Sequence, residues 1–229
     1  MIYLFLLFYS IVTFFLTDII PISLIINGYI FIILTYFIFP YVVKIYITKF
    51  ATDSIYNKSV NSKVYITKAP IVKGGMSIYL PLIQKSLYAV SEKAYQSLDE
   101  NELEFLILHE KAHIVYKDQT NNILSFFTVV YVFPILLTYL STLGFVTNLI
   151  IYLIFASAFY IGAFILYFVL TSRKEIRADK FATKNVDVSA AISALIKLHK
   201  AYEIRERTFN VLATHPSCNS RIQHLKKKS

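Results

Sequence analysis

The residues of this chain best suited to chemistry are two histidines and a glutamate in the stretch His109-Glu110-Lys111-Ala112-His113. On a helix, His109 and His113 project from one face a turn apart, so both imidazoles can reach a tetrahedral zinc ion. Glu110 lies about 100° around the helix from His109, where it can take a proton from zinc-activated water. The stretch predicts a zinc-dependent hydrolase with Glu110 as general base. The alternative is a helix that carries two structural histidines.

A second acidic stretch, Arg173-Lys174-Glu175-Ile176-Arg177-Ala178-Asp179, places Glu175 and Asp179 one turn apart on a helix face. A third zinc ligand needs a deprotonated oxygen or nitrogen, and Glu175 can supply it. Asp179 can then accept the spare ring N–H of a ligating histidine. The fourth coordination position stays open for water. The alternative is a solvated face on which these carboxylates pair with neighbouring Lys and Arg.

Local patterns predict the elements that must position these residues. Ser97-Leu98-Asp99-Glu100 fits a capping box, and apolar residues then recur at helical spacing, so we expect a helix over 100–117 that carries the histidines. Short strands are predicted at 64–66 and 77–80, separated by Pro70 and the Gly74-Gly75 pair, and a hairpin is one way in which they can pair. Ile192, Leu195, Leu198 and Tyr202 mark an amphipathic helix, and a short last helix is predicted over 220–227.

Composition indicates a membrane protein. The chain has 229 residues, of which 56% are hydrophobic, and a membrane span takes roughly 20 apolar residues. We expect four spans, at approximately 1–17, 22–43, 123–142 and 147–170. The predicted organisation is a transmembrane helical hairpin over 1–43, a catalytic segment over 44–120, a second transmembrane hairpin over 121–170, and a segment over 171–229 that carries the third zinc ligand and a C-terminal motif.

Charge predicts the orientation. All 23 Lys and Arg residues fall in two blocks, 44–117 and 173–228, and cytoplasmic segments carry the Lys and Arg excess. We therefore expect a multi-pass protein of the cell membrane whose catalytic site faces the cytoplasm. The net charge of +9 is explained by this topology and by attraction to anionic lipid, so no nucleic-acid partner is predicted. A transporter is disfavoured, because no Lys, Arg, Asp or Glu lies within the apolar spans.

Three separated motifs make the sequence similar to the membrane gluzincins of the HtpX and CAAX prenyl protease family. They are 108–113, 175–179, and His215-Pro216-Ser217-Cys218-Asn219-Ser220-Arg221-Ile222-Gln223-His224-Leu225, which resembles that family's C-terminal HP…RI..L signature. The resemblance implies one Zn²⁺ per chain, with ligands His109, His113 and Glu175, and with Glu110 as base and Asp179 in support. It also implies that His215 and Arg221 lie near the substrate and the developing oxyanion. The fold expected is mainly α, with four transmembrane helices and a cytoplasmic gluzincin-like α+β domain that has a small β-hairpin or sheet.

A second resemblance is to the peptidase segment of the BlaR/MecR antibiotic-sensing receptors. It is carried by the stretch 69–81 together with His113 and Asp118. Those receptors have a sensor domain outside the membrane, and we expect none here. The chemistry implied is the same under either family.

These observations predict an integral-membrane zinc endopeptidase that hydrolyses membrane-associated or misfolded proteins on the cytoplasmic side. Because Glu175 lies only five residues past the last span, or about 8 Å along a helix, we expect the site to be close to the bilayer surface. The expected peptide-binding edge is a strand formed by Ser77, Ile78, Tyr79 and Leu80. Two alternatives remain: a signalling protease of the BlaR/MecR type without a sensor domain, and a non-catalytic membrane scaffold. Oligomeric state is not predicted.

Overall fold

The computed structural model describes residues 28–129, 149–202 and 216–227, together with 133, 136, 139, 140, 143 and 144. The predicted first span and His215 lie outside the described residues. The chain divides into two compact units, one of Met1–Tyr36 with Thr120–Tyr167 and the other of Phe37–Gln119 with Phe168–Ser229. All the described residues of the predicted site belong to the second unit.

Apolar helices characterise the first unit. In the described part of the chain, two helices are long and apolar enough to cross a membrane, Gly28–Lys49 and Ile150–Ala182. They overlap the spans predicted at 22–43 and 147–170, whereas four transmembrane helices are not established. Inside this unit, Tyr152 and Tyr160 are fully buried, and the Phe133 ring stacks on Phe159. The many apolar side chains left exposed along both helices suit a lipid environment better than water.

Within the helix Gly28–Lys49, residues Ile33–Ile38 are π-helical. The main elements that follow are α1 (Phe39–Lys49), β1 (Ala51–Asn57), β2 (Ser62–Thr67), β3 (Gly75–Leu80), β4 (Lys85–Ser91), α2 (Glu92–Ser97), α3 (Glu100–Val115), α4 (Asp118–Phe127), α5 (Leu149–Ala182), α6 (Val188–Ala201) and α7 (Cys218–Lys226). The described chain is thus mainly helical with one small mixed sheet, as predicted. The strands at 64–66 and 77–80, the helix that carries the histidines and the amphipathic helix after residue 187 are confirmed.

The four-stranded sheet has the order β1-β2-β4-β3. A hairpin between β2 and β3, which the sequence allowed, does not form, because β4 lies between them and pairs parallel with β2 and antiparallel with β3. A short turn over residues 81–84 joins β3 to β4, and so short a connection favours antiparallel pairing of the two strands that it links. β3 consequently lies at an edge of the sheet.

α3 begins at Glu100, as predicted, with a capping box formed by Asp99 and Glu102. The box lies two residues beyond the stretch 97–100 that the sequence indicated. The Asp99 side chain accepts a hydrogen bond from the Glu102 backbone N–H at 3.0 Å, and the Glu102 carboxylate accepts one from the Asp99 N–H at 2.8 Å. The Glu102 carboxylate also accepts bonds from Ser193 and Lys197 of α6. Because Glu102 is buried, these contacts satisfy a charge that would otherwise be costly. They fix the start of α3 against α6.

The end of α3 sets the direction in which the chain enters α4. Lys117 adopts a left-handed conformation with φ of 54°, and its N–H bonds to the Ile114 carbonyl at 3.0 Å. A left-handed residue after the last turn is a common way to stop a helix and reverse the chain. As a result α3 ends two residues before the predicted limit, and Asp118 and Gln119 are returned towards its last turn.

Candidate metal centre

Three side chains from two helices converge at one point, as the sequence predicted. His109 and His113 project from α3, and their Nε2 atoms lie 3.2 Å apart. Glu175 projects from α5, with Oε2 at 3.4 Å from Nε2 of His109 and Oε1 at 3.6 Å from Nε2 of His113. His109 and Glu175 are buried, with 5% and 6% of their surfaces exposed. The three residues form a group that could hold a metal ion.

The spacing of these donor atoms fits zinc. Bonds of about 2.0–2.1 Å to nitrogen and oxygen in a tetrahedron place neighbouring ligand atoms roughly 3.3 Å apart. The observed separations of 3.2, 3.4 and 3.6 Å lie close to that value. Two imidazoles and one carboxylate are also the donor set of a catalytic zinc site, in which the fourth position is left for water.

Each histidine is oriented by a carboxylate on its other ring nitrogen. Nδ1 of His109 bonds to Oδ1 of Asp179 at 2.8 Å, and Nδ1 of His113 bonds to Oδ2 of Asp118 at 2.9 Å. Such partners fix the ring and leave Nε2 free for a metal. The bond of Asp179 to His109 is the contact suggested by its spacing from Glu175, and its role in supporting a zinc ligand stays a prediction. Asp118 makes the equivalent contact with His113. Spacing along α3 could not show this contact, because the left-handed residue Lys117 lies between the two.

Two arginines hold these carboxylates in place. Arg221 of α7 donates to both oxygens of Asp179, at 2.7 and 2.5 Å, and its Nη1 lies 3.7 Å from Oε2 of Glu175. Arg177 of α5 donates to Oδ1 of Asp118 at 2.5 Å. Arg221 therefore contacts the groups that support the ligands. Its expected place beside an oxyanion stays a prediction, as does the role of His215.

Buried charges bias protonation at this centre. Burial by itself would lower the pKa of His109, but the bonds to Asp179 and Glu175 outweigh it and raise the pKa to about 10. Burial would raise the pKa of Asp118, but His113 and Arg177 hold it below its usual value. Without a metal, the carboxylates thus favour an imidazolium at His109. His109 would have to lose its Nε2 proton to bind a metal cation, whose charge would then take the place of the proton's between these carboxylates.

Glu110 follows His109 on α3, and contacts with β3 fix the position of its carboxylate. The Ser77 hydroxyl of β3 donates to Oε2 of Glu110 at 3.0 Å. A Cβ atom at Gly75 would lie 2.8 Å from Cγ of Glu110, so only glycine leaves room for this carboxylate. The sequence indicated Gly74 and Gly75 as a break between strands, and the requirement for Gly75 appears only when β3 packs against α3.

The strand over 77–80 was expected to bind substrate. Ile78 and Leu80 are buried in an apolar cluster that includes Ile47 of α1, whereas Ser77 and Tyr79 are half-buried. Gln119 donates to the Tyr79 carbonyl and accepts from the Tyr79 N–H, at 3.3 and 2.9 Å. Contact with a peptide at this strand would therefore use its edge backbone, and the role of these four residues in binding stays a prediction.

Comparison with known proteins finds a family model and solved structures that match this chain. Residues 80–229 match peptidase family M48. The fold is similar to the crystal structure of Ste24p from S. mikatae, with a TM-score of 0.62 and 17% identity. The alignment covers 96% of this chain and 62% of Ste24p, so the chain spans less than two thirds of that protein. No curated protein matched. The family match covers well over half of the sequence and includes the metal centre, and the chain belongs to peptidase family M48, the zinc metallopeptidases of the HtpX and Ste24 type.

Proposed function

We propose that this protein is an integral-membrane zinc endopeptidase that hydrolyses membrane-associated or misfolded proteins on the cytoplasmic side. The observation that carries the proposal is the arrangement of four groups. His109, His113 and Glu175 form a donor set spaced for zinc, and Glu110, which follows His109 on α3, is not a member of that set. A purely structural metal site would have a fourth protein ligand, and no carboxylate base would be needed.

The chemistry divides between the metal and the chain. His109, His113 and Glu175 would hold zinc, which when bound polarises a peptide carbonyl and makes water more acidic. Glu110 accepts the proton of the attacking water and passes it to the leaving amide nitrogen, so that the C–N bond breaks to give an acid and an amine. Ser77 holds the Glu110 carboxylate by a hydrogen bond, and Gly75 leaves the space that it needs.

Three features support a substrate near a membrane. Glu175 lies on α5, the same continuous helix that begins at Leu149 with an apolar stretch long enough to cross a bilayer. The Lys and Arg residues are confined to the two blocks that hold the ligands. β3 offers an edge to which an extended peptide can add by main-chain pairing. Together they favour unfolded segments of proteins held at the membrane surface.

The proposal is tested by cleavage of one unfolded reporter in two forms, with and without a membrane anchor, by the protein in lipid vesicles. We expect zinc-dependent cleavage that 1,10-phenanthroline stops and added zinc restores, with faster cutting of the anchored form because it is concentrated at the surface. Equal rates for both forms would contradict the membrane-substrate proposal. Zinc-loaded protein that cuts neither form would favour a non-catalytic scaffold.

The proposed orientation predicts which side of the membrane each exposed segment faces. In a Cys218→Ser background, Lys58→Cys places a thiol on the turn between β1 and β2, where the side chain is exposed. We expect a membrane-impermeant maleimide to label it only after the cells are permeabilised. Leu143→Cys is the matched variant, because Leu143 is exposed in the turn that it forms with Gly144. We expect it to be labelled in intact cells. Labelling of Lys58→Cys in intact cells would contradict a cytoplasmic site.

A further inference from the structure

Gln119 contacts the edge of the sheet in the manner of a peptide group. Its Oε1 accepts from the Tyr79 N–H at 2.9 Å, and its Nε2 donates to the Tyr79 carbonyl at 3.3 Å. A neighbouring strand would form this same pair of bonds with one residue of an antiparallel partner. The side chain of Gln119 thus imitates one residue of an added strand.

The alternation of β3 shows which other residues face the same way. In an antiparallel pair, every second residue bonds to the partner strand and the residues between point their N–H and C=O groups away. The Gly74 carbonyl accepts from the Ser91 N–H of β4 at 2.8 Å, so the even-numbered residues face β4. Gly75, Ser77 and Tyr79 consequently turn their backbone groups to the edge. Gln119 covers Tyr79. The other two outward residues, Gly75 and Ser77, are the ones next to Glu110.

We propose that Gln119 sets the length and register of the peptide that adds to β3, by occupying the place opposite Tyr79 and confining main-chain pairing to Gly75 and Ser77. This inference rests on the proposed function, in which an extended peptide binds at this edge. Because successive outward residues lie roughly 7 Å apart along a strand, pairing ends at Ser77, one such step before Tyr79. The enzyme then needs no free amide N–H in the substrate residue that would otherwise pair with Tyr79.

The location of Gln119 links this restriction to the metal centre. The left-handed residue Lys117 reverses the chain so that Asp118 reaches His113 and the next residue, Gln119, reaches Tyr79. One turn thus supports a zinc ligand and limits the peptide-binding edge. A peptide that pairs with Gly75 and Ser77 lies beside Glu110, and the limit at Tyr79 prevents it from sliding along β3 by two residues.

An N-methyl scan of a peptide tests the proposal. The probe is a fluorescein-labelled synthetic decapeptide, prepared as ten versions that each carry one N-methylated amide, and both affinity and cleavage are measured. For the wild-type protein we expect weaker binding when either of two alternate positions is methylated. For Gln119→Ala we expect one further sensitive position, two residues along the peptide, with a loss of about fivefold in affinity from one missing hydrogen bond.

Controls separate this outcome from others. Gln96→Ala removes the same side chain from an exposed position of α2, and it is expected to give the wild-type profile. Gln119→Ser, which is also too short to reach Tyr79, replaces Gln119→Ala if that variant does not fold. Identical profiles for wild type and variant, or the absence of peptide binding, would overturn the role of Gln119. Binding with the expected profiles but without cleavage would instead overturn the proposed peptidase activity.

Discussion

Replacement of Glu110 by glutamine is expected to remove nearly all peptide cleavage while zinc stays bound. Glutamine has the same size and still accepts the bond from Ser77, but its amide cannot take a proton from water. General base catalysis contributes about a hundred- to ten-thousand-fold to a rate, and we expect kcat to fall within that range. Because Glu110 is separate from the three ligand residues, the zinc content should remain near one per chain.

A matched variant of the same helix makes this result specific. Glu100→Gln removes a carboxylate from the exposed first turn of α3. The interaction of such a carboxylate with the helix dipole contributes only a few tenths of a kcal/mol to about 1 kcal/mol of stability, so the helix should stay folded. We therefore expect kcat to stay within about twofold of the wild-type value. Cleavage by Glu110→Gln at the wild-type rate would show that another group acts as base. Loss of zinc from Glu110→Gln would place this residue among the ligands.

The candidate ligands could be proposed from the sequence because their signals are local. His109 and His113 are one helical turn apart, and so are Glu175 and Asp179, so each pair was visible without knowledge of the fold. What spacing could not provide was the approach of α3 to α5, which brings Glu175 within 3.4 Å of His109. The resemblance to a family supplied that link, and the structure agrees with it.

The groups to which the sequence assigned no role at the site depend on tertiary contacts or on one backbone angle. Asp118 supports His113 only because Lys117 adopts a positive φ, which is unusual for a residue other than glycine. Gly75 is required because Glu110 approaches from another element. Neither requirement leaves a periodic pattern along the chain.

The sheet was only partly predicted for a related reason. The strands around Val64 and Ser77 are short apolar runs bounded by turn residues, which is a local signal. The neighbours of each strand are decided by long-range packing. Leu87, Ala89 and their neighbours in β4 are nearly all buried, so this central strand lacks the alternation that marks a half-buried one. Without β4, the two recognised strands appeared to be partners.

Replacement of Glu175 by alanine is expected to remove zinc from the protein. The change leaves two imidazoles as protein ligands, and a catalytic zinc site needs three. Loss of an outer partner such as Asp179 costs roughly 10- to 100-fold in metal affinity, so we expect Asp179→Asn to weaken binding by that amount and Glu175→Ala to weaken it more. Zinc per chain is measured by mass spectrometry after dialysis against graded chelator.

The control for this series is Asp187→Ala, which removes an exposed carboxylate at the start of α6, where the side chain makes no capping bond. We expect it to retain zinc as the wild type does. A fold readout is needed as well, because Glu175 lies 3.7 Å from Arg221 and its loss leaves that partly buried cation with fewer partners. Circular dichroism that is unchanged together with absent zinc identifies a ligand. Zinc that stays bound to a folded Glu175→Ala protein would mean that the carboxylate only balances the charge of Arg221 and that the third ligand lies elsewhere.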